Sequence, residues 1–269
     1  MNQSPRPDVQ RLIEVTSERF IPGEPGYEPG SFDHRLHLAR YRLAGEVVSG
    51  RVLDVACGTG YGSDELLRRG CDHVVGVDAD EGAVTYARSH YPAPTFLTAD
   101  AHCLPFGDGA FTGVVSFETI EHLERPDMFL RELDRVTTPG AVLTLSTPNY
   151  RGGEYSTPFH VREFRRQELE TLLRDVFGDA PIEWLGQLDT EGASGSRSMS
   201  RAVIRLVKLL DPFNLRHRLL GRRFRTSVSH YALGISTPPD EMFPWRQTAL
   251  YTVAIVRKPG AVAPRGRDG

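Results

Sequence analysis

The chain has few cysteines, few lysines and no long run of apolar residues. Its three cysteines, Cys57, Cys71 and Cys103, are irregularly spaced, which argues against a disulfide framework or a zinc site and predicts reduced core residues. No uninterrupted apolar stretch of about 18 residues occurs, and residues 1–10 are polar with two prolines. The sequence therefore predicts neither a membrane span nor a signal peptide, and we expect a cytoplasmic protein.

The net charge is also small, at -3 with a pI near 6.3. This balance provides no overall attraction to nucleic acid or to an anionic membrane, so a nucleic-acid partner is not expected. Lysine occurs only at Lys208 and Lys258, and arginine carries nearly all of the positive charge. Hydrophobic residues make up 39% of the 269 residues, which is enough for a sizeable core.

Two segments, VLDVACGTGYG at residues 52–62 and GVDAD shortly after it, predict a site for a nucleoside cofactor. The first has the pattern of a buried strand that ends at Asp54, then a turn in which Gly58 and Gly60 allow backbone conformations closed to other residues, then a helix. The second has the pattern of a strand that ends in Asp78. An acidic residue about 20 positions past a glycine-rich turn commonly accepts hydrogen bonds from a ribose diol, so the cofactor is predicted to contain adenosine.

Asp54 indicates which adenosine cofactor this is. In a dinucleotide enzyme the pyrophosphate would occupy the turn, and a carboxylate at the end of the first strand would repel it. The same carboxylate suits a ligand that carries an ammonium and a sulfonium and no phosphate. S-adenosylmethionine has that charge pattern.

The chain resembles the class I S-adenosylmethionine-dependent methyltransferases in five segments that follow the family's order. They are DVACGTG, with Ala56 where the family more often has glycine; Asp78; TADAHCLPF, with Asp100 placed to meet the adenine edge; GVVSFETIEHL; and TPGAVLTLSTPN. The resemblance implies S-adenosylmethionine as the cofactor. It also implies a set of residues around that cofactor: Asp54, Ala56, Gly58, Gly60, Asp78, Ala79, Asp100, Ala101 and Phe117.

The resemblance, together with the alternation of strand and helix patterns, implies an α/β, Rossmann-like fold with a seven-stranded, mostly parallel sheet and helices on both faces. The predicted strands are 51–56, 73–77, 95–98, 113–117, 141–146, 182–188 and 248–257. The predicted helices are 62–69, 81–89, 126–136 and 166–177, with a further amphipathic run at 32–48. The expected division is an N-terminal helical cap at 1–48, a cofactor-binding core at 49–189, a helical insertion at 190–245, the last strand at 246–257 and a disordered tail at 258–269.

Two segments outside the core are expected to contribute to function. The cap is similar to N-terminal helices that close over the methionine end of the cofactor, so Tyr27, Arg40 and Tyr41 are candidates for contact with the cofactor carboxylate or the substrate. Simple packing of the helix on the sheet is the alternative. Residues 190–245 are too long for a hairpin connection and combine apolar stripes with many arginines, so we interpret them as a lid. A polyhydroxylated or anionic substrate, a membrane surface, a second subunit in a homodimer, or a solvated basic face remain open for this segment.

The segment SFETIEHL concentrates the residues with chemical roles. A helix after the fourth strand would place Glu118, Glu121 and His122 on one face, at positions i, i+3 and i+4, with His160 available as a fourth ligand. These four residues resemble an ExxEH signature of ubiquinone-pathway O-methyltransferases and the later histidine of small-RNA terminal 2'-O-methyltransferases, where such a set holds magnesium. The resemblance implies a site for Mg²⁺ or Mn²⁺. Without a metal, His122 or His160 would be the general base, and helix capping or structural hydrogen bonding are the alternatives.

The predicted reaction is transfer of the methyl group to a hydroxyl, with Glu118, His122 and His160 as the catalytic candidates. A sugar or oligosaccharide acceptor is preferred, because a metal that binds two neighbouring oxygens suits a diol. The order of segments, including SERFIPGE near the N-terminus, is also similar to carbohydrate O-methyltransferases of actinobacteria, such as those of mycobacterial methylated polysaccharides. The alternatives are a small aromatic acceptor, RNA 2'-O-methylation, a lipid methyltransferase and a non-catalytic cofactor-binding regulator.

Overall fold

A computed structural model of the protein describes residues 32–153, 159–189 and 240–260. The helices in these ranges are α1 Phe32–Val47, α2 Tyr61–Arg68, α3 Glu81–His90, α4 Pro126–Val136 and α5 Arg166–Phe177, with a 3-10 turn at Ile120–His122. The strands are β1 Arg51–Val55, β2 His73–Asp78, β3 Thr95–Thr98, β4 Phe111–Phe117, β5 Thr137–Pro148, β6 Ile182–Asp189, β7 Met242–Pro244 and β8 Ala249–Arg257. The predicted elements of the core are therefore confirmed to within a few residues at each end.

The strands form one mixed sheet in the order β3-β2-β1-β4-β5-β8-β6-β7. The first five strands in this order are parallel to one another, whereas β8 runs antiparallel to both β5 and β6. The prediction of seven strands is wrong, because the three-residue strand β7 pairs antiparallel with β6 as an eighth. A strand this short has no alternation of apolar and polar residues long enough to be recognised.

Helices cover both faces of the sheet, as predicted. Side chains of β1 alternate between two clusters, with Leu53 in a cluster that includes Phe129 of α4 and Leu169 of α5, and Val52 in a cluster that includes Leu66 of α2. This alternation follows from the two-residue repeat of a strand. Because both faces are covered, the polar groups of the central strands meet solvent only at the strand ends, and the site lies at one such edge.

The structure tests part of each of three predictions about the flanking segments. Of the cap, residues 32–47 are helical as expected, and residues 1–31 lie outside the described residues. Of the predicted helical insertion, residues 242–244 are strand β7, so helix is wrong there, and residues 190–239 lie outside the described residues. The predicted disorder is wrong for residues 258–260, because the Lys258 amide donates to the Ala141 carbonyl and its ammonium lies 2.7 Å from Asp134. Residues 261–269 lie outside the description.

No disulfide joins the three cysteines, all of which lie in the described ranges, and Cys57 and Cys71 are buried as predicted. Cys103 is exposed, which corrects the expectation of a core position, because it lies on the loop after β3 instead of in a strand. Among the described helices, none combines the length and the apolar character needed to cross a bilayer.

Candidate active site

A cavity of about 370 Å³ opens at the carboxyl ends of β1, β2 and β4. This edge of a parallel sheet is where ligands bind in doubly wound folds, because the loops that leave the strands diverge there. The cavity includes most of the predicted cofactor residues. Its lining consists of His37, Tyr41, Val55, Ala56, Cys57, Gly58, Thr59, Tyr61, Val77, Asp78, Ala79, Ala99, Asp100, Ala101, Phe117, Glu118, Thr119, His122, Leu123 and Phe159.

The turn between β1 and α2 has the conformation that its glycines predicted. Gly60 has φ +85°, and a Cβ there would lie 2.7 Å from Ala87 and from the ring of Phe96, so both backbone conformation and space require glycine. Gly58 has φ +54°. Ala56, which replaces the more usual glycine, has φ +59°, and a left-handed alanine costs on the order of 1 kcal/mol. The substitution by alanine is thus tolerated at a modest cost in folding free energy.

Asp78 lies at the end of β2 and is held against this turn. Its Oδ2 accepts a hydrogen bond of 2.8 Å from the Gly58 amide, and its Oδ1 accepts one of 2.9 Å from the Asp80 amide. Two backbone donors orient the carboxylate beside the cavity, where it is 8% exposed. Its position is compatible with the predicted contact to a ribose diol.

Asp54 is not among the residues that line the cavity. Its side chain is fully buried, where Oδ2 accepts a 2.7 Å hydrogen bond from the Ser63 hydroxyl and Oδ1 one of 3.3 Å from the Tyr41 hydroxyl. Burial raises the pKa of Asp54 to about 7, since desolvation penalises the charged form more than the two hydroxyl donors favour it. The structure therefore places Asp54 behind the cavity wall instead of in the position of direct contact that the sequence suggested.

Asp100 and Ala101 line the cavity on the loop that follows β3. The Asp100 carboxylate accepts hydrogen bonds from the backbone amide and the Nδ1 of His102, and these bonds lower the pKa of Asp100. Further along, the loop is fixed from outside the cavity, because Arg135 donates to the carbonyls of Leu104 and Phe106. This anchor was missed in the sequence, where Arg135 is one charged residue on the polar face of a helix.

Of the cap residues proposed to contact the cofactor or the substrate, Tyr41 lines the cavity and Arg40 does not. Tyr41 lines it, and its ring packs edge-on against the rings of Tyr61 and Phe117. Arg40 is 1% exposed and is not a lining residue; its guanidinium donates to Gln187 Oε1 at 3.1 Å. The predicted contact of Arg40 with the cofactor is therefore replaced by a buried role, and Tyr27 lies outside the described residues.

Glu118 stands at the end of β4 with an unusual backbone. Its φ is +52°, and it precedes the 3-10 turn instead of belonging to it. The prediction of a helix face shared by Glu118, Glu121 and His122 is therefore wrong, because the left-handed residue turns the chain before the helical turn begins. Glu118 Oε1 instead accepts a 2.7 Å hydrogen bond from Ser146 and lies 3.7 Å from the Arg40 guanidinium.

Glu121, His122 and His160 come together, with one ligand atom from each lying within 4.8 Å of the others. His160 is distant in sequence, but its segment is tied to the 3-10 turn because the amides of Val161 and Arg162 donate to the Glu121 carbonyl. The rings of His122 and His160 are 4.8 Å apart and nearly perpendicular. Three of the four predicted metal ligands thus form a group, and Glu118 is not part of it.

The hydrogen bonds of this group suit a metal. His122 Nδ1 lies 3.2 Å from the Phe159 carbonyl and His160 Nδ1 lies 2.8 Å from Glu163 Oε1, so in the neutral rings Nδ1 donates and Nε2 carries the lone pair. Hydrogen bonding of the second ring nitrogen to a carbonyl or carboxylate is typical of metal-bound histidines.

Glu121 is completely buried, and only one of its carboxylate oxygens is satisfied. Oε2 accepts from Thr147 at 2.9 Å, whereas the buried Oε1 has no hydrogen-bond partner. Burial, and then the nearby Glu118, raise the pKa of Glu121 well above its ordinary value. A buried carboxylate oxygen without a donor, beside two imidazoles, is compatible with a cation ligand.

Comparison with known proteins bears on the chemistry of this cavity. Residues 53–145 match the family model described as a methyltransferase domain, and they include the last three residues of β1 and all of β2, β3 and β4, whose ends surround the cavity. The fold is the Rossmann-like methyltransferase fold. The match extends over this part of the chain and not over α1, α5 or strands β6 to β8.

Two relatives illustrate the similarity in sequence. A probable S-adenosylmethionine-dependent methyltransferase of Mycobacterium tuberculosis (strain H37Rv) is 37% identical over 171 residues, which cover 61% of this chain and 61% of the relative. A malonyl-acyl-carrier-protein O-methyltransferase of Erwinia pyrifoliae is 30% identical over 153 residues, covering 56% of this chain and 53% of the relative. The chain thus matches less than two thirds of the length of either protein.

A solved structure supports the fold alone. The crystal structure of the cyclase SpnF superimposes with a TM-score of 0.57 at 20% identity, covering 94% of each chain. That protein is described as a cyclase, so this fold by itself does not specify the reaction.

Proposed function

We propose that the chain is an S-adenosylmethionine-dependent O-methyltransferase that methylates a hydroxyl of a sugar or oligosaccharide, assisted by a divalent metal. The observation that carries this proposal is the charge of the cavity. Among its described lining residues, Asp78, Asp100 and Glu118 are acidic and none is lysine or arginine. Such a lining disfavours a phosphate-bearing dinucleotide and favours a ligand with an ammonium and a sulfonium.

The reaction requires the protein to align the methyl donor with the acceptor hydroxyl and to provide a group that accepts the hydroxyl proton. In-line displacement breaks the bond between the methyl carbon and the sulfonium sulfur, whose electron pair stays on sulfur, and forms a bond from that carbon to the acceptor oxygen. The acceptor hydroxyl loses its proton. His122 and His160 each carry an Nε2 lone pair when neutral, because Nδ1 is engaged as a donor. His122 lines the cavity and His160 does not, so His122 is the better placed of the two to receive that proton.

Glu121, His122 and His160 are the residues that would hold the metal. When bound, a divalent cation would make a neighbouring hydroxyl a better nucleophile. The donor set has two imidazoles and one carboxylate, since Glu118 is outside the group, so it favours Mn²⁺ over Mg²⁺.

The acceptor class rests on the chemistry of a diol. A sugar offers two neighbouring oxygens to a cation, and a mannoside or glucoside of a methylated polysaccharide is the acceptor that the overall order of the sequence suggested. The name of the Erwinia pyrifoliae relative specifies O-methylation, which favours an oxygen acceptor. A small aromatic hydroxyl compound is the second candidate, because the rings of Tyr41, Tyr61, Phe117 and Phe159 line the cavity.

An assay of S-adenosylhomocysteine release tests the proposal. The purified chain is offered mannosides and glucosides, small phenols and short RNA, each with and without EDTA. We expect turnover with sugar diols, a loss of at least about tenfold on chelation, and recovery on addition of Mn²⁺. Glu121→Gln should lower turnover to the chelated level, whereas Glu183→Gln, an exposed matched change on β6, should behave as the wild type.

Each other outcome has a definite meaning. Turnover that survives EDTA and Glu121→Gln removes the metal and leaves a histidine base. Turnover with phenols and not with sugars selects the second candidate, and turnover with RNA alone would refute both. An absence of binding to S-adenosylmethionine would reject the methyltransferase activity itself.

A further inference from the structure

The cavity has acidic side chains at both ends, and they are not equivalent. Asp78 is the last residue of β2 and Asp100 lies on the loop after β3, and their carboxylate oxygens accept hydrogen bonds from nearby backbone amides. Glu118 lies after β4, among lining residues that include Tyr41 and Phe117. If adenosine lies along Asp78 and Asp100, as the proposed function requires, the sulfonium end of the ligand faces the part of the cavity that contains Glu118.

Two residues that do not line the cavity, Ser146 and Arg40, contact the carboxylate of Glu118. Ser146 donates to Oε1 at 2.7 Å, and the Arg40 guanidinium lies 3.7 Å from the same oxygen. The side chain of Glu118 is 19% exposed and that of Arg40 is 1% exposed, so solvent screens this pair weakly. Both contacts involve Oε1, and Glu118 is one of the residues that line the cavity.

The backbone at Glu118 is part of the same arrangement. A left-handed φ of +52° in a residue other than glycine costs on the order of 1 kcal/mol. The amide of Glu118 nevertheless keeps a 3.1 Å hydrogen bond to the Ser146 carbonyl. In this conformation Glu118 contacts Ser146 and Arg40 and is not one of the grouped ligands Glu121, His122 and His160, although its charge still acts on Glu121.

Arg40 is itself fixed in place by neutral groups. It donates to Gln187 Oε1, its guanidinium stacks over the ring of Tyr251 at 4.9 Å, and Gln187 in turn donates to the Leu36 carbonyl. A buried guanidinium requires a nearby anion, and Glu118 is the acidic residue with which it forms an ion pair among the described residues. Arg40 can therefore compensate the charge of Glu118 when no cation lies in the cavity.

We propose that Glu118 discriminates the charged methyl donor from the neutral product. The inference rests on the proposed cofactor and deepens it. S-adenosylmethionine and S-adenosylhomocysteine share adenosine, an ammonium and a carboxylate, and they differ by the methyl group and the sulfonium charge. When the methyl carbon leaves, the electron pair of the broken bond stays on sulfur, and the attraction between Glu118 and the sulfonium disappears. Glu118 retains Arg40 as its partner, and the product is released more readily than the donor.

The test is isothermal titration calorimetry of both compounds with the full chain, in the absence of any acceptor. In Glu118→Gln we expect the affinity for S-adenosylmethionine to fall about tenfold while that for S-adenosylhomocysteine changes by less than about twofold, the scale of a hydrogen bond or contact to a charged group. The preference for the donor should therefore fall about tenfold. Glu183→Gln serves as the matched control and should keep the wild-type ratio.

Asp54→Asn tests whether Asp54, the anion that the sequence suggested, discriminates the two compounds instead of Glu118. If Asp54→Asn narrows the ratio of the two affinities and Glu118→Gln leaves it unchanged, Asp54 is the discriminating anion and the inference is overturned. An equal loss for both compounds in Glu118→Gln also overturns it, because a merely structural role weakens both.

Glu118→Asp provides a second variant in case Glu118→Gln does not fold, as judged by circular dichroism. It keeps the negative charge but shortens the side chain by one methylene. The ratio of the affinity for S-adenosylmethionine to that for S-adenosylhomocysteine should therefore fall, but by less than in Glu118→Gln. A wild-type ratio in Glu118→Asp would then count against the inference. If the wild type binds neither compound, the proposed function fails instead, which is a distinguishable result.

Discussion

The carboxyl group of Asp54 shows how strongly one side chain depends on its surroundings. The ring of Tyr41 from α1 and the hydroxyl of Ser63 from α2 close over it, and no part of it is exposed. Hydroxyl donors alone do not replace the hydration of a full negative charge, so its pKa rises to about 7. A residue identified in the sequence by its charge therefore lies, in the fold, in surroundings that favour its neutral form.

This pKa predicts how the stability of the protein depends on pH. Between the ordinary value of 3.8 and about 7, the native state holds a proton that the unfolded state does not. The stability that this group contributes is therefore complete below the lower value and is lost as pH rises through the upper one. We expect the free energy of unfolding of Asp54→Asn relative to wild type to rise by about 3 kcal/mol from about pH 4.5 to about pH 8.

Urea unfolding followed by circular dichroism at the two pH values measures this difference. Asp100→Asn is a suitable control, because the pKa of Asp100 is lowered instead of raised, so its substitution should produce the opposite trend or none. An Asp54→Asn difference that does not change with pH would contradict the burial argument.

At the level of elements, the contact between α1 and α2 connects the cap to the cofactor turn. A Cβ on Gly62 would overlap the ring of Tyr41, so the first turn of α2 needs glycine for the ring to reach Asp54. Tyr41 is 5% exposed and is packed edge-on against two other rings, which leaves it little room to move. The position of α1 over the cavity therefore depends on a residue with no side chain.

Gly62→Ala should lower the free energy of unfolding by about 2 kcal/mol through overpacking. It should also weaken the binding of S-adenosylhomocysteine, because Tyr41 lines the cavity. Gly107→Ala is the matched control, since a Cβ at Gly107 meets no atom within 4 Å, and its effect should stay within about 0.5 kcal/mol. Urea titration of the wild type, Gly62→Ala and Gly107→Ala measures their free energies of unfolding. Equal values for all three would show that the ring of Tyr41 shifts freely.

At the level of the whole molecule, the cavity joins loops from β1, β2, β3 and β4 with a helix of the cap. A ligand that fills it contacts most of the sheet's carboxyl edge, so binding stabilises the folded chain as a unit. The charge of the lining selects which ligand does so.

We therefore expect S-adenosylmethionine at 100 times its Kd to raise the free energy of unfolding by about 2.7 kcal/mol and the Tm by several degrees. NADH and ATP should leave the Tm unchanged, because their phosphates would meet an acidic lining. Differential scanning fluorimetry provides the comparison. A shift with NADH and none with S-adenosylmethionine would contradict the assignment of the cofactor.

The extent to which the sequence predicted the site differs from residue to residue. Asp78 and Asp100 line the cavity, as expected from their places at the end of β2 and shortly after β3, because the apolar pattern of each strand marks where it ends. The pairing of Glu163 with His160 was missed, since nothing in the sequence distinguishes that glutamate from the other acidic residues nearby. Glu118 was assigned to a helix face because the spacing of three and four residues fits a helix, and a single left-handed residue removed it.

Local patterns were enough to predict the order of strands and helices, the glycine turn and the end of each parallel strand, because these depend on the two-residue and 3.6-residue repeats and on the backbone freedom of glycine. The depth of Asp54, the ion pair of Glu118 with Arg40 and the meeting of His160 with Glu121 and His122 depend on side chains from separate elements. Burial and charge pairing are properties of the packed chain, and so only the assembled fold decided which carboxylate faces the cavity.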